Sequence, residues 1–202
     1  MNAEQPEVNL LWHRIKFLGL IAIFLSPFVA GWMALYVFDL KPTAGNYGEL
    51  VTPVRQLDWP PLETTDGQTH PAGFGRKWTL LLFAGDACDE LCRDNLFYMR
   101  QLRTLLGRDT LRLQNVLVTA QPLDETMEVY LREFPNLKVV QDNRDPRLYE
   151  QFEIDGAEAV GSTPKMYLVD PAQNLMMHYP AQNDQDRVLE DIKKLLKLSQ
   201  IG

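Results

Sequence analysis

At 202 residues, 46% of them hydrophobic and 23% charged, the chain has room for one globular domain of ordinary size plus an appendage. The formal net charge of −7, with no block of Lys or Arg, excludes the clustered cationic surface that nucleic-acid phosphates require, so no nucleic-acid partner is expected. Cys88 and Cys92 are the only cysteines, and two thiols four positions apart in an otherwise cysteine-free chain point to paired use.

The appendage comes first. Residues Phe17 to Phe38 (FLGLIAIFLSPFVAGWMALYVF) run for 22 positions without a charge, long enough to cross a hydrocarbon core as a helix. Pro27 and Gly31 are common in membrane spans, and Trp32 and Tyr36 suit the far interface. A cleaved signal peptide is the competing reading, since Phe28-Val-Ala30 loosely resembles a cleavage site. The apolar run continues well past an h-region of about 7–15 residues, which favours an uncleaved anchor. His13, Arg14 and Lys16 stand directly before the span, whereas Asp39 and Lys41 nearly cancel after it. The positive-inside bias therefore puts the N-terminus in the cytoplasm and the remainder outside. In a bacterium that outer compartment is the periplasm, where thiols can cycle or form disulfides.

The stretch Lys41 to Pro53, followed by Trp59-Pro60-Pro61, is rich in Pro and Gly and reads as a tether with an irregular lead-in, the domain starting near Val51. Leu62 to Thr69, with Asp66-Gly67 at the turn, has the form of an edge hairpin. Trp78 to Phe83 is a continuous apolar run of strand length, as expected of a strand buried on both faces. Leu91 to Leu106 predicts a helix, with Leu91, Phe97 or Tyr98, Leu102, Leu105 and Leu106 at helical spacing and Gly107 as the stop. A strand from Leu111 to Thr119 follows, then a helix from Asp124 to Phe134 ended by Pro135. Leu137 to Gln141 is a further strand, and Asp145-Pro146 opens a helix to about Phe152. Pro164 to Val169 and Leu175 to Tyr179 form a hairpin. The final helix, Asp184 to Leu198, carries Val188, Leu189, Ile192, Leu195 and Leu196 on one face. The alternation implies an α/β fold with a mixed sheet covered by helices.

The order strand, cysteine pair at a helix start, strand, helix, hairpin, helix resembles the thioredoxin-like fold, and the resemblance covers Leu62 to the C-terminus. Ser162-Thr163-Pro164 before the hairpin is similar to the cis-proline loop that faces the cysteines in thioredoxin-like oxidoreductases, which implies a place in the site for Thr163 and Pro164. The family's CxxC is absent. The CxxxC spacing is similar instead to the Sco/SenC proteins, membrane-anchored thioredoxin-like factors that handle copper and thiols for cytochrome c oxidase. Those proteins supply a third copper ligand, a histidine, just before the penultimate strand; Ser162-Thr163-Pro164 stands there in this chain, so no histidine ligand carries over. Asn46-Tyr-Gly-Glu-Leu50, Cys88-Asp-Glu-Leu-Cys92, Leu96-Phe-Tyr-Met-Arg-Gln-Leu-Arg103 and Gly107 resemble a family of Sco-like transmembrane proteins associated with cytochrome oxidase assembly in proteobacteria. The resemblance implies oxidase subunits or other assembly factors as partners. The resulting plan is a single-pass bacterial inner-membrane protein. Residues 1–16 are cytoplasmic, 17–38 span the membrane, 39–50 form a tether and 51–202 a thioredoxin-like periplasmic domain.

Four residues along a helix separate Cα atoms by about 6 Å, near the upper end of the range of about 4.4–6.8 Å in which a disulfide closes. Closure is easier if the first turn is loosened. The same spacing puts both sulfurs on one face, where Cys88 and Cys92 could offer two thiolates to Cu(I). A helix N-terminus stabilises the Cys88 thiolate, while Asp86, Asp89 and Glu90 oppose it. By position, Cys88 is the attacking thiol and Cys92 the resolving one. A structural disulfide is the alternative, although so short a loop yields little stabilisation.

The histidines carry less. His13 borders the membrane, His70 lies in a Pro- and Gly-rich loop, and His178 sits beside Met176 and Met177 on a strand, where neighbours point to opposite faces. Phe97, Tyr98 and Met99 read as core or interface packing, with Arg100 and Arg103 as solvated flanks. No phosphate-cradling loop, zinc-spaced Cys/His set or nucleophile elbow occurs. Two functions remain open: a thiol-disulfide reductant in oxidase assembly, favoured by the missing histidine, and a Cu(I)-carrying chaperone or scaffold without turnover. A third is a partner-binding protein in which the cysteines are incidental.

Overall fold

The computed structural model describes residues 10–37, 45–65, 67–85, 87–142 and 145–199. They belong to two units, Met1–Gly45 and Asn46–Gly202. In the first, helix α1 runs Leu10–Tyr36. Its stretch Leu11–Met33, with a mean hydropathy of 1.8, is long and apolar enough to cross a membrane. The helix begins before the uncharged run and takes in Arg14 and Lys16, whose ammonium lies 5.2 Å from the Trp12 ring centre. Pro27 is accommodated inside it, and Ser26 Oγ donates to the Ile23 carbonyl at 2.9 Å. Phe38, Asp39, Lys41 and the first part of the expected tether lie outside the described residues.

The second unit is built on a six-stranded sheet in the order β1-β8-β7-β4-β5-β6. The strands are β1 (Glu49–Gln56), β4 (Trp78–Phe83), β5 (Leu113–Thr119), β6 (Leu137–Gln141), β7 (Met166–Val169) and β8 (Asn174–Tyr179). β4, β5 and β6 run parallel, while β7, β8 and β1 add antiparallel strands on the other side of β4. A separate two-stranded hairpin pairs β2 (Leu62–Glu63) with β3 (Thr69–Phe74), as the turn signal implied; Asp66 lies outside the described residues. The helices are α2 (Glu90–Leu105), α3 (Glu125–Leu131), α4 (Pro146–Phe152) and α5 (Gln185–Leu198).

β4 is buried at every position, and its alternation feeds two cores. Leu80 and Leu82 pack with Leu96, Met99 and Leu102 of α2 and Ile192 and Leu196 of α5. Leu81 and Phe83 pack on the opposite face with Leu148 and Phe152 of α4 and with Trp59. A strand with core on both sides has no solvent face to alternate, which is why its sequence is apolar but for Thr79, whose buried hydroxyl accepts from Gln114 Nε2 at 2.9 Å.

Four expectations need correction. Glu49–Gln56 is a strand, not a tether and irregular lead-in: its hydrogen-bonding edge is completed by β8, and Thr52-Pro53 is taken up where the register shifts between Leu50 and Arg55. Thr69–Phe74, placed in a loop around His70, is likewise a strand, paired only on one side, where Pro71 is tolerated. Phe97 and Leu105 of α2 are solvent-exposed; the buried stripe is Cys92, Asn95, Leu96, Met99 and Leu102. β5 starts at Leu113, because Gly107, at φ +57°, ends α2 and a 3-10 turn over Gly107–Arg112 consumes the next residues, leaving Leu111 exposed.

Candidate functional site

The cysteine pair sits where β4 hands over to α2. Asp89, in an extended conformation, is the N-cap of α2, and its Oδ1 accepts the Cys92 N–H at 2.8 Å. Cys88 therefore precedes the helix rather than occupying its first turn. This shortens the Cα separation to 5.1 Å, and Cys88 and Cys92 are joined in a disulfide. The loosening that closure called for is supplied by a capping aspartate that the sequence marks only as an acidic neighbour. Asp86 lies outside the described residues.

The two sulfurs differ in access. Cys92 is fully buried in the core beneath α2, whereas Cys88 is half-buried. Cys88 lines a cleft of about 330 Å³ between the β4–α2 connection and the segment leading into α3. Leu123, Met127 and Tyr130 give the cleft an apolar wall, and Arg93 and Asp124 put one charge of each sign beside it. Asp124 also caps α3, accepting the Met127 N–H at 2.7 Å.

The loop Ser162-Thr163-Pro164 comes to the same end of the domain. Gly85, just before the cysteines, packs so closely on Gly161 that a Cβ at position 85 would lie 2.3 Å from the Gly161 carbonyl oxygen. Asn95, three residues beyond Cys92, donates through Nδ2 to the Pro164 carbonyl at 2.7 Å and to the Ala181 carbonyl at 2.9 Å. Its Oδ1 accepts from Asn183 Nδ2 at 2.7 Å, which completes a buried clamp across three segments. Thr163 Oγ1 donates to Glu158 Oε2 at 2.7 Å. The structure thus gathers the segments carrying Cys88, Cys92, Thr163 and Pro164. The likeness to a cis-proline loop does not extend to the peptide bond: among the described residues the one cis peptide is Thr52–Pro53, and Thr163–Pro164 is trans.

Asn95 escaped the sequence reading, although it lies at i+3 from Cys92 on the stripe that continues through Leu96, Met99 and Leu102. A single amide on an otherwise apolar stripe is the signal that could have found it, because a buried amide must be paired.

His178 stands apart from this site. It pairs across the sheet with Tyr167 and Glu49, and its Nε2 lies 3.4 Å from Glu49 Oε2. Burial, aided by the nearby Lys165 charge, pulls its pKa below the ordinary imidazole value, against the opposing pull of Glu49. Among the described residues no three His, Cys, Asp or Glu side chains gather where they could hold a metal ion. The reduced pair alone would offer a soft ion two thiolates, one donor short of the three-ligand set expected of Sco/SenC proteins.

Residues 78–199 match the family model described as transmembrane-like, thioredoxin-like, C-terminal domain. No curated protein matches the sequence. Among solved structures, the chain is similar to copper-bound ScoI of Arabidopsis thaliana, at 17% identity and a TM-score of 0.56 over 76% of this chain and 99% of that one. It is similar to BsSco, a member of the Sco family of cytochrome c oxidase assembly proteins in which a disulfide switch was identified. There the identity is 14% and the TM-score 0.55, over 73% of this chain and 96% of that one. A thio-disulfide isomerase from Thermus thermophilus shares 18% identity and a TM-score of 0.52, over 73% of this chain and 96% of that one. These likenesses show a thioredoxin-like fold. With the family model matching more than half its length, the chain belongs to the transmembrane-like, thioredoxin-like C-terminal domain family.

Proposed function

We propose that this protein is a membrane-anchored thiol-disulfide reductant acting in cytochrome c oxidase assembly, with α1 in the bacterial inner membrane, the N-terminus cytoplasmic and the domain from residue 51 onward periplasmic. The observation that carries the reading is the unequal access of the pair: Cys88 opens on a cleft and Cys92 is sealed in the core behind it. In the reduced protein the Cys88 thiolate attacks a partner disulfide, and one partner sulfur leaves as thiolate. The Cys92 thiolate then attacks Cys88 Sγ, releasing the second partner thiolate and closing Cys88–Cys92. Two electrons pass to the partner, and a dithiol donor returns the pair to the reduced state. In this reading Thr163 and Pro164 take part in partner docking, the Pro164 carbonyl being tied to α2 through Asn95. Copper-binding subunits of the oxidase, or other assembly factors carrying a cysteine pair, are the partners that the Sco likeness favours.

The test is trapping. Cys92→Ser should accumulate mixed disulfides through Cys88 with periplasmic proteins, and Cys88→Ser should not. Equal trapping through either cysteine, or none through Cys88, would reject the reading.

A second reading rests on the copper-bound Sco structures that share the fold. In it Cys88 and Cys92, reduced, hold Cu(I) for delivery without turnover. Cu(I) favours thiolate and thioether sulfur, and the third donor comes from a partner or from Met127 in the cleft wall. Stoichiometric Cu(I) binding to the reduced domain, lost in both serine variants, would favour this reading over the first.

A further inference from the structure

Cys88 stands just before α2, and at the far end of that 16-residue helix, about 24 Å away at about 1.5 Å per residue, the surface changes character. Leu105 closes α2 half-exposed, and Leu111 of the following 3-10 turn and Leu198 of α5 are 74% and 72% exposed. The fold brings their segments together. Thr110 Oγ1 donates to the Arg103 carbonyl, and Arg112 donates to the Leu196 and Ser199 carbonyls, each at 2.8 Å. Arg112 thus stitches the turn that carries Leu111 to the last turn of α5.

Cations surround these leucines. Because Val188, Asp191, Ile192 and Leu196 bury one face of α5, its opposite face meets solvent, and the C-terminal half of that face carries Lys193, Lys194 and Lys197, all exposed. Arg108 is exposed on the neighbouring 3-10 turn. Of the nearby carboxylates, Asp109 faces Arg112 at 3.4 Å and Glu190 stands a turn before the lysines. In a chain of net charge −7 this is a local excess of positive charge, assembled from positions far apart in the sequence. Lysines near a helix C-terminus also offset the macrodipole. That accounts for neither Arg108 nor the exposed leucines.

The chain enters the domain at this same helix. Lys194 Nζ donates to Asn46 Oδ1 at 3.4 Å, and Asp191, one turn earlier, holds the N–H groups of Tyr47 and Gly48. Between Tyr36, where α1 ends, and Asn46, even a fully extended chain spans no more than about 35 Å. With α1 in a bilayer, the lipid headgroups lie within that reach of Lys194.

We infer that this end of the domain, with Leu111, Leu198, Arg108, Lys193, Lys194 and Lys197, docks onto the anionic headgroup surface of the bilayer that holds α1. The inference rests on the reading of α1 as a membrane anchor. The leucines enter the interface and the cations meet lipid phosphates, each cation raising the affinity by about fivefold. Docking leaves the Cys88 cleft, at the other end of α2, open to a partner.

Hydrogen exchange of the full-length protein, in nanodiscs of phosphatidylcholine alone and of phosphatidylcholine with phosphatidylglycerol, tests this. The amides of residues 105–112 and 193–199 should exchange at least about threefold more slowly in the anionic discs, while those lining the Cys88 cleft do not change. The difference should vanish at high salt and in the combined variant Lys193→Gln, Lys194→Gln, Lys197→Gln, whose three positions are exposed. Leu111→Ser with Leu198→Ser should shrink it as well. Loss of the chain from both kinds of disc would overturn the anchor reading and the inference with it. A chain retained in both, with equal exchange, overturns the inference alone, as does undiminished slowing in the glutamine variant. Slowing that appears in detergent and grows with protein concentration would assign the surface to a second copy of the chain, and slowing that spreads over the cleft would mean general adsorption; either would overturn the inference.

Discussion

Asn95 Nδ2 reaches the carbonyl oxygen of Pro164 at 2.7 Å, tying the helix that carries Cys92 to the loop before β7. The same amide group holds the Ala181 carbonyl, so one fully buried side chain satisfies two backbone acceptors from distant parts of the sequence. Leucine would fill the space but leave both carbonyls unpaired, at about 1–3 kcal/mol each. Asn95→Leu is expected to lower the stability of the oxidised protein by at least about 2 kcal/mol, read from urea titration. It should also change the reduction potential of Cys88–Cys92, because the Pro164 loop is no longer held to the helix that carries Cys92. A wild-type potential in a destabilised variant would mean that the clamp is structural only.

Gly85 makes the second tie between these segments. Its φ of +67° is strained for any residue with a Cβ, and that Cβ would lie 2.3 Å from the backbone oxygen of Gly161, which has no flexible side chain to withdraw. Gly85→Ala is predicted to cost about 2–3 kcal/mol, the upper part of the range for a residue held in a sparsely populated backbone region. Gly161, at φ +79°, carries the same backbone strain, but a Cβ there meets the Tyr149 ring edge at 3.3 Å and the Gly85 backbone no closer than 3.6 Å, so the reciprocal change should be milder. Comparable midpoints for the two alanine variants in chemical denaturation would contradict this ordering.

His178 gives the domain a pH dependence of known sign. Its pKa is lowered in the folded state, first by burial and then by the Lys165 charge, with Glu49 pulling the other way. The unfolded chain therefore binds a proton that the folded chain resists, so its contribution is intact above the ordinary value of 6.5 and is lost as pH falls from there toward the folded-state pKa. Asp145, whose carboxylate is held below its usual range by hydrogen bonds from Arg147, acts in the same direction only below its ordinary 3.8. The two windows are separable. Stability measured between pH 7 and pH 5 should fall in the wild type and stay flatter in His178→Gln; parallel slopes would exclude His178 as the source.

Much of the domain was legible because its cues are local. The largely apolar run Trp78–Phe83, the Gly107 stop and the Asp145-Pro146 start each act through near neighbours and appear as expected. β1 was missed because what makes it a strand is a partner about 120 residues away, Glu49 opposite His178 and Gln56 opposite Asn174, while Pro53 locally argues against one. The pairing of Cys88 with Cys92 could be read from spacing, but their unequal burial depends on Asp89 starting the helix one residue later than Cys88. Thr163-Pro164 was placed near the cysteines by analogy of order. What holds it there, Asn95 and the contact between Gly85 and Gly161, is tertiary and leaves only an amide on an apolar stripe and two glycines as its trace.

The segment Asn46-Tyr-Gly-Glu-Leu50 supplies the last prediction. Asp191 of α5 is 5% exposed, and its Oδ2 accepts the backbone N–H groups of Tyr47 and Gly48, each at 2.8 Å. The Tyr47 hydroxyl accepts the Asp184 N–H at 3.0 Å, and its ring lies 4.4 Å from the Arg187 guanidinium. Gly48 is confined as well, since a Cβ there would lie 2.7 Å from the Tyr179 ring and 2.9 Å from Met177 sulfur. A single carboxylate thus fastens the start of the second unit onto its last helix. Each charged hydrogen bond of this kind contributes about 1.5–3 kcal/mol, so Asp191→Ala should cost about 3 kcal/mol or more. Asp191→Asn keeps an acceptor without the charge and should recover roughly half of that loss. If instead the alanine variant unfolds at the wild-type urea midpoint, the backbone of residues 47 and 48 is satisfied in some other way and the fastening role assigned to Asp191 fails. If only the asparagine variant does so, the bonds matter but the charge does not.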